Sequence, residues 1–126
     1  MTGFLLLPRW LGVGKVDVIP AVGALLMGRT ENTFRSGLIA HFLSGIAFAY
    51  IYWGMILLMK LPVVWWMFAM AGAIHGVIVM LLVCIVVMEH HPIARYHDRG
   101  PMTGLSQFIA HIVYGLVVGI IVQVLQ

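Results

Sequence analysis

Residues 61–88 read LPVVWWMFAMAGAIHGVIVMLLVCIVVM, a run without one Asp, Glu, Lys or Arg. About 20 mostly apolar residues cross the roughly 30 Å hydrocarbon core of a bilayer as an α-helix. This run is long enough to cross it tilted. Two further segments, Gly37 to Met59 and Met102 to Leu125, also carry no formal charge. The rest of the composition agrees. Of 126 residues, 63% are hydrophobic and 9% charged, against about a quarter charged in a soluble domain. The mean hydropathy is +1.08. These figures exclude an ordinary soluble domain and a disordered chain. A single cysteine, Cys84, excludes a disulfide scaffold.

The beginning of the chain reads differently. Phe4 to Leu7 is apolar, then Pro8, Arg9, Lys15, Asp17 and Pro20 intervene before the apolar run Ala21 to Met27. Neither piece alone can span, because an unpaired charge at a helix centre costs about 2.5 to 3.5 kcal/mol on insertion scales. The expectation is a short first helix over residues 2–14 and a half-helix over 18–28, its backbone satisfied by neighbouring protein. A cleaved signal peptide is not expected: no basic residue precedes the apolar run, and Pro8 interrupts it. Three spanning helices follow, at 36–59, 62–91 and 102–125. The short connection at Lys60–Pro62 predicts an antiparallel hairpin, with Trp65 and Trp66 at the depth of an aromatic belt. Residues 1–126 thus read as a single transmembrane domain. Its class is all-α, a polytopic membrane four-helix bundle of two hairpins whose first helix is short or broken.

A weak repeat ties the hairpins together. Ile39-Ala40-His41-Phe42-Leu43-Ser44-Gly45-Ile46 resembles Ile109-Ala110-His111-Ile112-Val113-Tyr114-Gly115-Leu116, 70 residues later. The two helices run in the same direction, so His41 and His111 are expected at similar depth near one face. Gly45 and Gly115 lie one turn further on the same helix face. Gly72-x3-Gly76 and Gly115-x3-Gly119 are small-xxx-small pairs that let backbones approach. The glycines read first as packing residues; alternatively, they clear space for a flat cofactor beside a histidine ligand.

Five of the six histidines fall on one side: His41, His111, His90, His91 and His97, with Glu31, Glu89 and Asp98. His75 is the exception, expected deeper in the third helix by a turn or more. Polar groups inside a bilayer are costly and face protein. His41 with His111 is the natural pair for a cofactor such as haem b. Glu89, His90, His91, His97 and Asp98 form a candidate zinc or copper site. Histidine and acid together could also relay protons. The plainer alternative is that these imidazoles bond to carbonyls at a helix end, where the macrodipole favours a cation and Pro92 stops the helix. Met80, Cys84 and Met88, spaced by four, make a soft-ligand stripe for copper or a run of core fillers.

Several activities find no residues to support them. No C-x-x-C-H, H-E-x-x-H, nucleophile elbow or phosphate loop occurs. The seven basic residues are scattered rather than clustered with aromatics, so nucleic acid is not expected as a partner. Their distribution speaks to orientation instead. Lys15, Arg29, Arg35, Arg95 and Arg99 flank the histidine-rich side and only Lys60 the other, which puts the histidine-rich face in the cytoplasm.

The order Asp17-x2-Pro20-x2-Gly23, then His41-Phe42-x2-Gly45, a tight hairpin and His111-x2-Tyr114-Gly115-x3-Gly119 resembles a family of small uncharacterised bacterial four-helix integral-membrane proteins, grouped as a domain of unknown function. The resemblance covers residues 16–125. It implies a four-helix architecture in a bacterial inner membrane and no assigned activity. Members tend to carry a complete first helix after a basic cytoplasmic N-terminus. This chain has too few residues ahead of Lys15 for that, which implies an internal start or a truncated helix. A complete helix would invert the orientation. The Glu89-His90-His91-Pro92 and His97-Asp98 stretch is not part of the resemblance. The expectation is therefore a non-catalytic accessory subunit of a larger membrane complex, redox or metal-dependent, with other membrane subunits or a homo-oligomer as partners. The alternatives are a histidine-ligated haem or copper/zinc protein, or a small metal or proton carrier.

Overall fold

A computed structural model describes residues 18–28, 30–97 and 101–126. The described residues contain helices and no strand. Helix α1 is Val18–Met27, α2 is Thr33–Leu58, α3 is Trp65–Leu82 and α4 is Pro101–Val124. A π-helical segment, Val83–Glu89, continues α3, and a 3-10 turn, Ala94–Tyr96, follows it. Three of these helices, Thr33–Leu58, Trp65–Val87 and Met102–Val124, are long and apolar enough to cross a membrane. Helix α1 corresponds to the expected half-helix. The expected helix at 2–14, with Pro8, lies outside the described residues.

Helix boundaries follow local chemistry. Gly28 takes φ +62° after α1, and its N–H bonds the Ala24 carbonyl at 2.9 Å. This left-handed step ends the helix at little cost for a glycine. The third helix starts at Trp65 rather than 62, because Pro62 is followed by an extended Val64. Its first free N–H, on Trp65, is taken by the Gln123 side chain at 3.1 Å, which ties the end of α4 to the start of α3.

Close packing is set by glycine. A Cβ on Gly23 would lie 1.8 Å from the Thr33 carbonyl oxygen, and one on Gly37 would lie 1.9 Å from that of Ile19. These helices therefore pair backbone to backbone, antiparallel. The same holds for α3 and α4, where a Cβ on Gly72 would sit 2.3 Å from the His111 carbonyl oxygen and one on Gly115 2.2 Å from that of Phe68. Helices α2 and α3, although joined by the tight turn at Lys60, meet through the side chains of Tyr52, Ile56 and Phe68. The intimate pairs are thus α1/α2 and α3/α4.

Two buried clusters hold the pairs together at opposite ends. Tyr52, Ile56 and Phe68 form one. Ala21, Ala24, Val83, Val87 and Tyr96 form the other, where α1 packs on the π-helical segment and the 3-10 turn. Between the clusters the two pairs separate.

Candidate functional site

The separation encloses a cavity of about 370 Å³ with walls from α1, α2, α3, the π-helical segment and α4. Most of its wall is apolar. The polar exceptions are His41 and Ser44 from α2, His75 from α3, and Gln107, His111 and Tyr114 from α4. Gln107 and His111 are buried at 4% and 6% exposure. The repeat thus brings His41 and His111 to one cavity, as two walls of it.

The ring against His111 is that of His75, with centroids 4.8 Å apart at 74°. The sequence puts His75 deeper than the other histidines, whereas the structure sets it beside His111. In an antiparallel α3/α4 pair both residues fall near mid-helix and meet. Phe48 stacks on the opposite side of His75 at 3.9 Å, and the Tyr52 hydroxyl is 2.7 Å from His75 Nδ1. The sequence reading did not single out Gln107, and did not pair His75 with Tyr52 and His111. The available signal was Gly72 and Gly76 flanking His75, which leave room beside it for α4.

Hydrogen bonds fix one tautomer. His111 Nδ1–H donates to the Gln107 carbonyl oxygen at 2.7 Å. In a neutral imidazole this leaves Nε2 as an acceptor, and Nε2 has no partner among the described residues. The Gln107 side chain lines the same cavity. Tyr114 O–H donates across to the Gly45 carbonyl, bridging α4 to α2. Gly45 itself meets nothing within 4 Å of a built Cβ. It makes no close helix contact and lies in the cavity wall. Gly72, Gly76, Gly115 and Gly119 all lie at α3/α4 contacts.

A second hollow of about 260 Å³ adjoins the first and shares His41, Gly45 and Tyr114 with it. Its remaining wall is apolar: Leu38, Phe42, Ile46, Ala49 and Val118. It lies between α2 and α4, next to exposed Phe42 and Ile46.

The histidines after α3 serve the backbone instead. His90 Nδ1–H donates to the Ile85 carbonyl at 2.8 Å. His91, 2% exposed, donates from Nε2 to the Ala21 carbonyl and accepts from the Ile93 N–H at Nδ1, both at 3.0 Å. His97 Nε2–H donates to the His91 carbonyl. Glu89 is exposed, and Asp98 lies outside the described residues. No three His, Cys, Asp or Glu side chains among the described residues come together as a metal site. The expected Glu89, His90, His91, His97 and Asp98 centre is therefore not assembled among them. A helix ending at a proline leaves carbonyls without donors; His90 and His97 serve those of Ile85 and His91 there, and His91 serves that of Ala21 on α1.

Two members of the soft stripe stay together. Met80 and Cys84 pack at Gly104 of α4, where a Cβ would meet Met80 Cγ at 3.1 Å and Cys84 Sγ at 2.8 Å. The side chain of Met88 lies outside the described ones.

No protein-family model, curated protein or solved structure matches the chain.

Proposed function

We propose that the chain is a polytopic, non-catalytic membrane subunit that holds a small lipophilic ligand between its two helix pairs. The observation that carries this reading is the set of hydrogen-bonding groups on His41, Gln107 and His111 in an otherwise apolar cavity. Polar side chains at membrane depth are costly unless they meet protein or ligand. Binding sites of this size and character, apolar with a few placed polar groups, are the common form of a small-molecule site.

The exposed faces support a membrane setting. Phe42, Ile74 and Leu58 are 68%, 65% and 84% exposed on helices long enough to span, as lipid-facing residues would be. The basic residues on the histidine-rich side favour a cytoplasmic placement of that face, and the family resemblance favours a bacterial inner membrane. An accessory role beside a larger complex is favoured by α2. Only 11% of its apolar window is buried within the chain, and Gly54 faces open space. That leaves a broad surface for neighbouring subunits or a second copy.

The test is solvent extraction of protein purified gently from membranes, with mass spectrometry of the released small molecules. Gly45→Leu is the control, because it fills the shared wall without meeting backbone. A lipophilic molecule retained by the wild type and lost from a folded Gly45→Leu variant is the expected result. Identical extracts from both proteins would overturn the proposal.

A further inference from the structure

We infer that the cavity takes the head of a membrane quinol, with the hydrocarbon tail leaving through the hollow between α2 and α4. This inference rests on the binding function proposed above and names its ligand class.

Charge narrows the choice first. The cavity wall contains no Lys, Arg, Asp or Glu among the described residues. A phosphate or carboxylate head would be buried without a counter-charge, which costs far more than a neutral polar group with hydrogen bonds. A neutral head is therefore favoured over the charged heads of phospholipids and ionised fatty acids.

The donor and acceptor pattern narrows it further. Because His111 Nδ1–H is held by the Gln107 carbonyl, Nε2 can only accept. The matching ligand carries an O–H. The Gln107 side-chain amide, which lines the same cavity, can donate to or accept from a second oxygen. A ring with hydroxyl groups satisfies both residues. The oxidised quinone has only carbonyl oxygens and leaves Nε2 without a donor.

Shape supplies the rest. Phe48, His75 and Tyr114 present rings to a space of about 370 Å³, suited to one flat ring with substituents. The adjoining hollow is apolar, shares His41, Gly45 and Tyr114 with the cavity, and reaches Phe42, which is 68% exposed. An amphiphile entering from the bilayer would lay its tail there and its head inside. The inference concerns binding of the reduced form, and no electron transfer is assigned to this chain.

The test uses the full chain in nanodiscs of zwitterionic phospholipid, compared with empty nanodiscs. A decyl-substituted benzoquinol, kept reduced under anaerobic conditions, and its oxidised quinone are titrated separately, and the protein-dependent retention of each is measured. Expected are saturable binding of about one quinol per chain and roughly tenfold weaker binding of the quinone, the scale of one lost hydrogen bond. Gly45→Leu should abolish binding of both, and His111→Leu should remove the preference for the reduced form. The wild-type comparison of the two forms needs no variant, so a misfolded variant leaves it intact.

Quinone bound as tightly as quinol would overturn the role given to His111. Equal competition by a long-chain alcohol would overturn the choice of a ring. No saturable binding of either form, while a different lipophile is extracted from the wild type, would end this inference and leave the binding function standing. Empty extracts together with no binding would end both.

Discussion

His91 reaches back 70 residues to α1, donating from Nε2 to the main-chain carbonyl of Ala21 at 3.0 Å. Its other nitrogen accepts from the Ile93 N–H, and Tyr96 packs edge-on against its ring at 4.7 Å. This one imidazole joins the segment after α3 to the short helix α1. With both nitrogens committed, it has none left for a metal ion.

Replacing His91 should therefore act on stability and not on metal content. His91→Ala removes a buried ring, leaves the Ile93 N–H unpaired and opens a void. The expected loss is about 2 to 4 kcal/mol. Reversible unfolding in mixed micelles would measure it, with zinc and copper determined on both proteins. A variant as stable as the wild type, or one that loses a bound metal, would contradict this assignment.

The glycines should separate into two classes on substitution. A Cβ on Gly115 would lie 2.2 Å from the Phe68 carbonyl oxygen, and no flexible side chain can yield there. Gly115→Ala forces α3 and α4 apart and should cost about 1 to 3 kcal/mol. Gly54→Ala meets nothing within 4 Å. It should stabilise by up to about 1 kcal/mol through helix propensity alone. The same unfolding measurement ranks the pair, and equal effects would contradict the packing described for α3 and α4.

These residues also show what the sequence could tell. Spans are legible because charge is absent over whole segments, and Gly72, Gly76, Gly115 and Gly119 are legible because close helix approach needs small residues at that spacing. Gly45 has the same spacing pattern relative to its histidine as Gly115, yet it faces a cavity. Which helix lies opposite a small residue is decided by tertiary pairing, which no local pattern encodes. His90, His91 and His97 cluster in sequence as a metal site would. Their actual partners are the main-chain carbonyls of Ile85, Ala21 and His91, and that backbone demand leaves no mark on the side-chain pattern. His75 was misplaced because depth counted along one helix says nothing about the register of its neighbour.

The membrane setting makes a prediction at Ile74. It lies mid-way along α3 and is 65% exposed. Ile74→Arg would put an unpaired charge at the centre of a span, at a cost of about 2.5 to 3.5 kcal/mol on insertion scales. Insertion of this span, read by glycosylation mapping in microsomes, should fall sharply. On the surface of a water-soluble bundle the same arginine would be tolerated. No insertion of the wild-type span, with the protein recovered in the soluble fraction, would remove the membrane reading.

The last prediction concerns Tyr52 and His75. The hydroxyl of Tyr52 on α2 is 2.7 Å from Nδ1 of His75 on α3, and it is the one side-chain hydrogen bond joining these helices among the described residues. Helices α2 and α3 have no glycine contact between them, so this bond and the packing of Ile56 and Phe68 set their separation. Tyr52→Phe keeps the ring and its packing and removes only the hydroxyl. The coupling in a double-variant cycle with His75→Phe should be about 0.6 to 1.7 kcal/mol, the range of interhelical hydrogen bonds in bilayers. His75→Phe preserves a flat ring beside Phe48, so the stacking at 3.9 Å contributes little to the difference. A shift in the α2–α3 spacing should accompany the loss, measurable between spin labels placed at Tyr50 and Ile78, both exposed. Additive effects with unchanged spacing would mean that packing alone positions His75, and that the hydroxyl does not hold one wall of the cavity in place.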